Sequence, residues 1–193
     1  LKGRDINKWY YSCPTNYLKH NYDNFLDRGV DTFRFSADLL EIVPKIIYRQ
    51  TATTIIATID NNKNYLDKTI HLIVPRTSWE KYPATFLLGL LNSSLFSYFY
   101  SHISQETEGR AFAQVKTTYI KKLVIPKKVK DTSMIKTVEQ ILTAKQNPPS
   151  PPFAKGGNNE ADTSALERQI DEMVYKLYDL TPEEIAIVEG KNK

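Results

Sequence analysis

Arginine and glutamine side chains carry paired hydrogen-bonding groups that match the edges of guanine and adenine. The lysine ammonium is a point charge suited to phosphate. Two stretches of this chain concentrate those residue types. The first is Lys45 to Gln50 (KIIYRQ), an apolar run flanked by Lys45 and by Arg49-Gln50. The second is Arg110 to Lys130, with seven basic residues (Arg110, Lys116, Lys121, Lys122, Lys127, Lys128, Lys130), no acidic one, and Phe112, Gln114, Thr117, Thr118 and Tyr119 between them. Arg49, Gln50, Arg110 and Gln114 are the candidate base readers, and Lys45, Lys116, Lys121 and Lys122 the candidate phosphate contacts. The expectation is that folding brings the two stretches to opposite sides of one cleft holding duplex DNA. The competing readings are an ordinary solvated basic face and, for Arg49-Gln50, a strand end exposed to solvent.

Reactive constellations are missing by the same test. Asn147-Pro148-Pro149 begins a motif that needs an aromatic fourth residue to stack on a flipped base, and here that residue is Ser150. Glu189-Gly190-Lys191 has the spacing of a metal-dependent nuclease fragment but closes a short acidic helix. His20, His71 and His102 are scattered, the single Cys13 has no partner at zinc-ligand spacing, and Gly156-Gly157 is not followed by Lys-Ser/Thr. No catalytic residue and no metal ligand is assigned. His71 reads as a packed or surface residue within a strand.

Composition frames these residues. The 193 residues are 41% hydrophobic, enough for a core of one ordinary domain, and carry a formal charge of +4. The basic stretch is balanced by an acidic one: Glu160 to Glu189 holds nine acids and two bases. One cysteine excludes an internal disulfide and fits a reducing, cytoplasmic compartment. The longest apolar stretch, Ala84 to Tyr100, is interrupted by Gly89, Asn92 and serines, so no membrane span is predicted. The chain starts at Leu1 rather than Met, which leads us to expect a segment of a longer protein.

The elements that must position the site follow from periodicity. Leu1–Tyr11 predicts a strand or a single helical turn, Tyr17–Asp31 a loop, and Ser36–Pro44 one short helix ending before the proline. Lys45–Gln50, Thr53–Asp60 and Thr69–Val74 predict strands, the first two able to form a hairpin. Pro83–Tyr100 predicts a buried helix broken at Asn92-Ser93, with Ser93 capping the second half. Tyr119–Ile125 predicts a fourth strand and Asp131–Lys145 an amphipathic helix. The last helix has Ser164 and Glu167 as a capping box and an apolar stripe through Leu166, Ile170, Met173, Val174, Leu177 and Tyr178. A short helix capped by Thr181, with Pro182 first, follows it. The expected architecture is α+β, with a mixed or antiparallel sheet, KIIYRQ at its centre, and a C-terminal helical hairpin. The expected division is a sheet-containing core over 1–146, a proline- and glycine-rich linker or disordered insertion over 147–163, and helices over 164–193 packing back on that core. The acids Glu167, Asp171, Glu172 and Asp179 are expected on an outer face turned away from DNA.

Five blocks stand in a characteristic order: GRDI (Gly3–Ile6), KIIYRQ (Lys45–Gln50), LLNSSLFSYFY (Leu90–Tyr100), VIPKK (Val124–Lys128) and LERQIDEMVYKLYDLTPEEIAIVE (Leu166–Glu189). In that order they resemble the TaqI-like C-terminal specificity domain of type IIG restriction–modification enzymes and related adenine-specific DNA methyltransferases. The resemblance implies a DNA target-recognition module, with double-stranded DNA and an N-terminal methyltransferase or nuclease domain of the same parent protein as partners. S-adenosylmethionine, and Mg2+ where the parent cuts DNA, would then belong to that catalytic domain and not to this chain. A prokaryotic cytoplasmic location follows. The alternative is a non-catalytic protein-interaction module, a remnant of such an enzyme without DNA specificity.

Overall fold

The computed structural model describes residues 1–19, 21–27, 29–30, 37–104, 114–127, 132–146 and 161–191. Arg110 and Phe112, Lys128 and Lys130, and the proline-rich run 147–160 lie outside them, and with these the expected linker and insertion.

The chain opens with a 3-10 turn, Gly3–Asp5, closed by Asp5, whose carboxylate accepts from the Lys2 backbone N–H at 2.7 Å. A second 3-10 turn, Tyr22–Phe25, sits in the polar loop, and a short helix α1 covers Ala37–Glu41. Three antiparallel strands follow: β1 (Lys45–Arg49), β2 (Ala57–Asp60) and β3 (Ile70–Ile73), in the order β2-β1-β3. β1 is therefore central, as its unbroken apolar run requires: Ile46 and Ile47 are both fully buried, one on each face. The strand expected from Thr53 is shorter than its β-branched run, because Thr53-Thr54 form a bend and pairing starts only at Ala57.

The apolar stretch after the sheet forms two helices, α2 (Ala84–Asn92) and α3 (Ser94–Ser104). The break falls where it was expected: the Ser93 Oγ accepts from the Phe96 N–H at 3.3 Å. Asn92 does more than interrupt the helix. Its buried amide donates to the Ala57 carbonyl (3.0 Å) and accepts from the Ala57 N–H (3.1 Å), which ties α2 to the β2 edge. A one-turn helix α4 (Thr117–Ile120) precedes α5 (Ser133–Gln146), α6 (Ser164–Leu177) and α7 (Pro182–Val188). The predicted strand over Tyr119–Ile125 is thus a helical turn followed by a loop. Tyr119, Ile120 and Leu123 pack on the core at helical spacing, while Val124 and Ile125 are 74% and 42% exposed, and among the described residues no strand pairs with them.

One core cluster joins sheet and helices, running from Ile46 and Tyr48 through Phe86, Leu88 and Phe96 to Val138, Ile170 and Val174. Gly89 lets α2 lie close on α5, since a Cβ there would stand 3.1 Å from Met134 and Val138 side-chain atoms. Helix α6 begins one residue earlier than its expected cap: Thr163 is the N-cap, and its hydroxyl donates to Glu167 (2.8 Å) in place of a Ser164 capping box. The expected outer acidic face is also half wrong. Asp171 accepts from the Ser94 N–H and hydroxyl, both at 2.7 Å, capping α3 from across the interface, and Glu167 is paired with Lys8 at 2.8 Å. Burial alone would raise the Glu167 pKa, but the hydrogen bond and charge of Lys8 outweigh it and hold the carboxylate below its ordinary value. Glu172 and Asp179 do stay exposed. The α6–α7 turn closes as a Schellman motif: Asp179 has φ +55°, and the Leu180 N–H reaches the Tyr175 carbonyl at 3.0 Å.

Candidate nucleic-acid interface

The sheet's register decides what each cation near β1 can do. Lys45, Ile47 and Arg49 share one face of the strand, because side chains alternate. Lys45 stands opposite Asp60 across the β1–β2 pair. Its ammonium is 2.8 Å from the Asp60 carboxylate and donates to the Leu40 carbonyl at 2.8 Å, with both side chains wholly buried. Asp60 also accepts from the Asn62 and Asn64 backbone N–H groups and the Asn64 amide. Burial would raise its pKa, and the Lys45 and asparagine hydrogen bonds reverse that, leaving it below its ordinary value. Lys45 was expected to touch phosphate. Its position corrects that expectation, because a lysine sealed in the core beside its counter-ion cannot reach a ligand.

Arg49 lies at the other end of the strand and is half buried. Its Nε donates to the Ile6 carbonyl, and its Nη2 to the Asn7 Oδ1 (3.2 Å) and the Arg4 carbonyl (3.5 Å). Nη1 has no acceptor among the described residues. The guanidinium is therefore fixed by the N-terminal segment instead of swinging freely from the strand end. That segment is itself pinned: Gly3 N–H donates to the Thr69 hydroxyl at 2.8 Å, and a Cβ on Gly3 would lie 2.9 Å from the Thr69 carbonyl oxygen. Only glycine fits so close an approach.

Beyond Arg49 the chain meets the second cationic stretch. Thr51 and Gln114 form an antiparallel bridge, and the Val115 N–H donates to the Gln50 carbonyl at 2.6 Å. The Tyr100 hydroxyl holds this junction from below, donating to the Gln114 carbonyl (3.1 Å) and accepting from the Lys116 N–H (3.0 Å). Tyr48 reaches from the sheet to the Thr117 hydroxyl at 3.1 Å, and its ring lies 5.2 Å from that of His71. His71 is thus a packed strand residue whose pKa burial pushes down. Gln114, Lys116, Lys121 and Lys122 are all exposed, and the Lys122 ammonium sits 5.3 Å over the Tyr119 ring. The structure therefore brings Arg49, Gln50, Gln114 and Lys116 together along one seam. Among the described residues the two stretches join edge to edge, with no cleft between them. Arg110 falls outside the described residues.

Sequence reasoning missed the cations supplied by the N-terminal turn. Lys2, Arg4 and Lys68 are exposed and line, with Arg49, a hollow of about 490 Å³ that reaches Thr51. The GRDI block was the available signal, but a single arginine in a turn gives no periodicity or charge run. Only the tertiary contact of residues 1–7 with 65–69 gathers these charges. Among the described residues there is no group of three His, Cys, Asp or Glu side chains placed to hold a metal ion, and no helix is long and apolar enough to cross a membrane.

Comparison with known families decides the class. The model of the TaqI-like C-terminal specificity domain matches residues 1–125. The chain belongs to this family. The match takes in the N-terminal turn, the whole sheet, α2, α3 and the seam at Gln114–Lys122, so the candidate interface lies within it. It ends before α5–α7, and the C-terminal block from Leu166 rests on the resemblance in its sequence alone. No curated protein matches the chain. The family is one of specificity domains of the restriction–modification type, and residues 1–125 are matched as such a domain.

Proposed function

We propose that this chain is the DNA target-recognition domain of a type IIG restriction–modification enzyme or an adenine-N6 methyltransferase, acting on double-stranded DNA in the prokaryotic cytoplasm. The observation that carries the reading is the seam at the end of β1. There one bridge sets Gln50 and a tethered arginine beside an exposed glutamine and lysine, within the span matched by a specificity-domain family. Gln50 and Gln114 supply paired donors and acceptors for base edges, Arg49 offers its Nη1 group, and Arg110 is a further reader candidate on its residue type alone. Lys116, Lys121 and Lys122 supply point charges for phosphates.

A catalytic domain of the same parent protein would hold S-adenosylmethionine, and Mg2+ if the parent cleaves. This chain would place that domain over its target. The reading is tested by passing a randomised duplex pool over the immobilised chain and sequencing what is retained. A short consensus is the expected result. Recovery of the pool unchanged, with efficient capture of a methyltransferase fragment, would favour the protein-interaction alternative.

A further inference from the structure

We infer that the hollow between the N-terminal turn and the Asp67–Thr69 turn is a seat for a backbone phosphate of the bound duplex, adjoining the base-reading seam, with Arg49 at the boundary between them and Lys2, Arg4 and Lys68 as the phosphate contacts. The inference rests on the DNA-binding reading above. Four cations, Lys2, Arg4, Arg49 and Lys68, line the hollow against one carboxylate, Asp67. That carboxylate is already engaged, since one oxygen accepts from the Thr69 N–H and hydroxyl, both at 2.9 Å. Burial raises the Asp67 pKa, while the Thr69 hydrogen bonds and, to a lesser degree, the charges of Lys2 and Lys68 bring it below its ordinary value.

Geometry makes this more than a cluster of surface lysines. Arg49 is held rigid by three acceptors from residues 4–7, and its Nη1 hydrogens have no acceptor among the described residues. The turn carrying Lys2 and Arg4 cannot drift, because Gly3 is pressed on Thr69. At about 30 Å³ per water, a hollow of about 490 Å³ has room for a phosphodiester group with its hydrating waters. Thr51 lines the hollow and also bridges to Gln114, so a duplex lying on the seam continues over the seat. Lys2, Arg4 and Lys68 then fix register by charge alone, whatever the sequence.

The test uses the whole chain with Arg4→Ala/Lys68→Ala, the single variant Lys68→Glu and the control Lys136→Ala on the exposed face of α5. Arg4→Ala keeps the backbone carbonyl that Arg49 uses. Fluorescence anisotropy on a mixed-sequence duplex, at several salt concentrations, reads the slope of log affinity against log salt. The double variant should lower that slope by about one, near 0.9 for the single phosphate no longer neutralised, while preference among sequences and the circular dichroism spectrum stay as in the wild type. Lys68→Glu should weaken binding to all sequences alike, and the control should change nothing. A wild-type slope in the double variant would overturn the seat and leave the DNA reading standing. Absence of DNA binding by the wild type at low salt would remove both. Inorganic phosphate titrated at constant ionic strength competes for the seat and should displace DNA more readily from the wild type than from the double variant, and equal displacement would count against the seat. Selective phosphate binding with an unchanged DNA salt slope in the double variant would reassign the hollow to free phosphate.

Discussion

Lys45 and Arg49 lie one on each end of the same strand face and have opposite fates. Lys45 faces Asp60 and is sealed with it, whereas Arg49 is held at a surface hollow. Replacing Lys45 by alanine leaves a buried carboxylate without its counter-ion, which costs about 3–5 kcal/mol. Chemical denaturation should show that loss. Asp60 also sets an acid limit. Its folded pKa lies below the ordinary 3.8, so its contribution to stability is complete above that value and is lost as pH falls through the folded pKa. Thermal melting followed downward from pH 5 should show a decline beginning near pH 4 that is absent in the Asp60→Asn variant. At the surface the two classes of side chain separate differently. Lys121→Ala or Lys122→Ala should weaken binding to every duplex and reduce the salt slope by roughly one unit each. Arg49→Ala should cost about 1–3 kcal/mol on the preferred site and relax choice at one base pair. If Arg49→Ala lowered affinity equally for all sequences, it would belong with the phosphate contacts.

Elements carry the site through contacts that pattern alone does not display. The seam depends on Tyr100, the residue of α3 whose hydroxyl bonds both Gln114 and Lys116. Tyr100→Phe keeps the ring in the core and removes both bonds. We expect a loss of about 1 kcal/mol in stability together with weakened discrimination among duplexes. Unchanged discrimination would mean that the seam needs no such brace. The central place of β1 and the break at Ser93 were legible in the sequence, because each follows from local burial or capping, whereas the sheet was left open between mixed and antiparallel. The helical turn at Thr117–Ile120 was not. A short run of β-branched and aromatic residues fits either state, and the choice was made by how Tyr119, Ile120 and Leu123 pack on the core. Lys45 was misread for the same reason. A lysine at a strand start reads as exposed until its cross-strand neighbour is known, and that neighbour is fifteen positions away at Asp60. Asp171 looked like an outer acid, yet it caps α3, because stripe analysis of α6 does not reveal another helix's unpaired N–H groups.

At the scale of the molecule, a three-stranded sheet backed by helices gathers the candidate recognition residues at the end of β1, where the N-terminal turn and residues 114–122 converge. The +4 charge of the whole chain is too small to announce this, and local gathering of cations does what net charge does not. With no catalytic or metal residue assigned to it, the isolated chain should transfer no label from S-adenosylmethionine to DNA, and incorporation above background would contradict its reading as a recognition module. The most direct test of the central claim is competition between the duplex enriched from the randomised pool and a scrambled duplex of equal length, followed by anisotropy from low to physiological salt. We predict that affinity for both falls steeply with salt while a preference of at least about tenfold for the enriched duplex, roughly one good base contact, persists throughout. Equal affinity for the two duplexes at every salt concentration would contradict the claim.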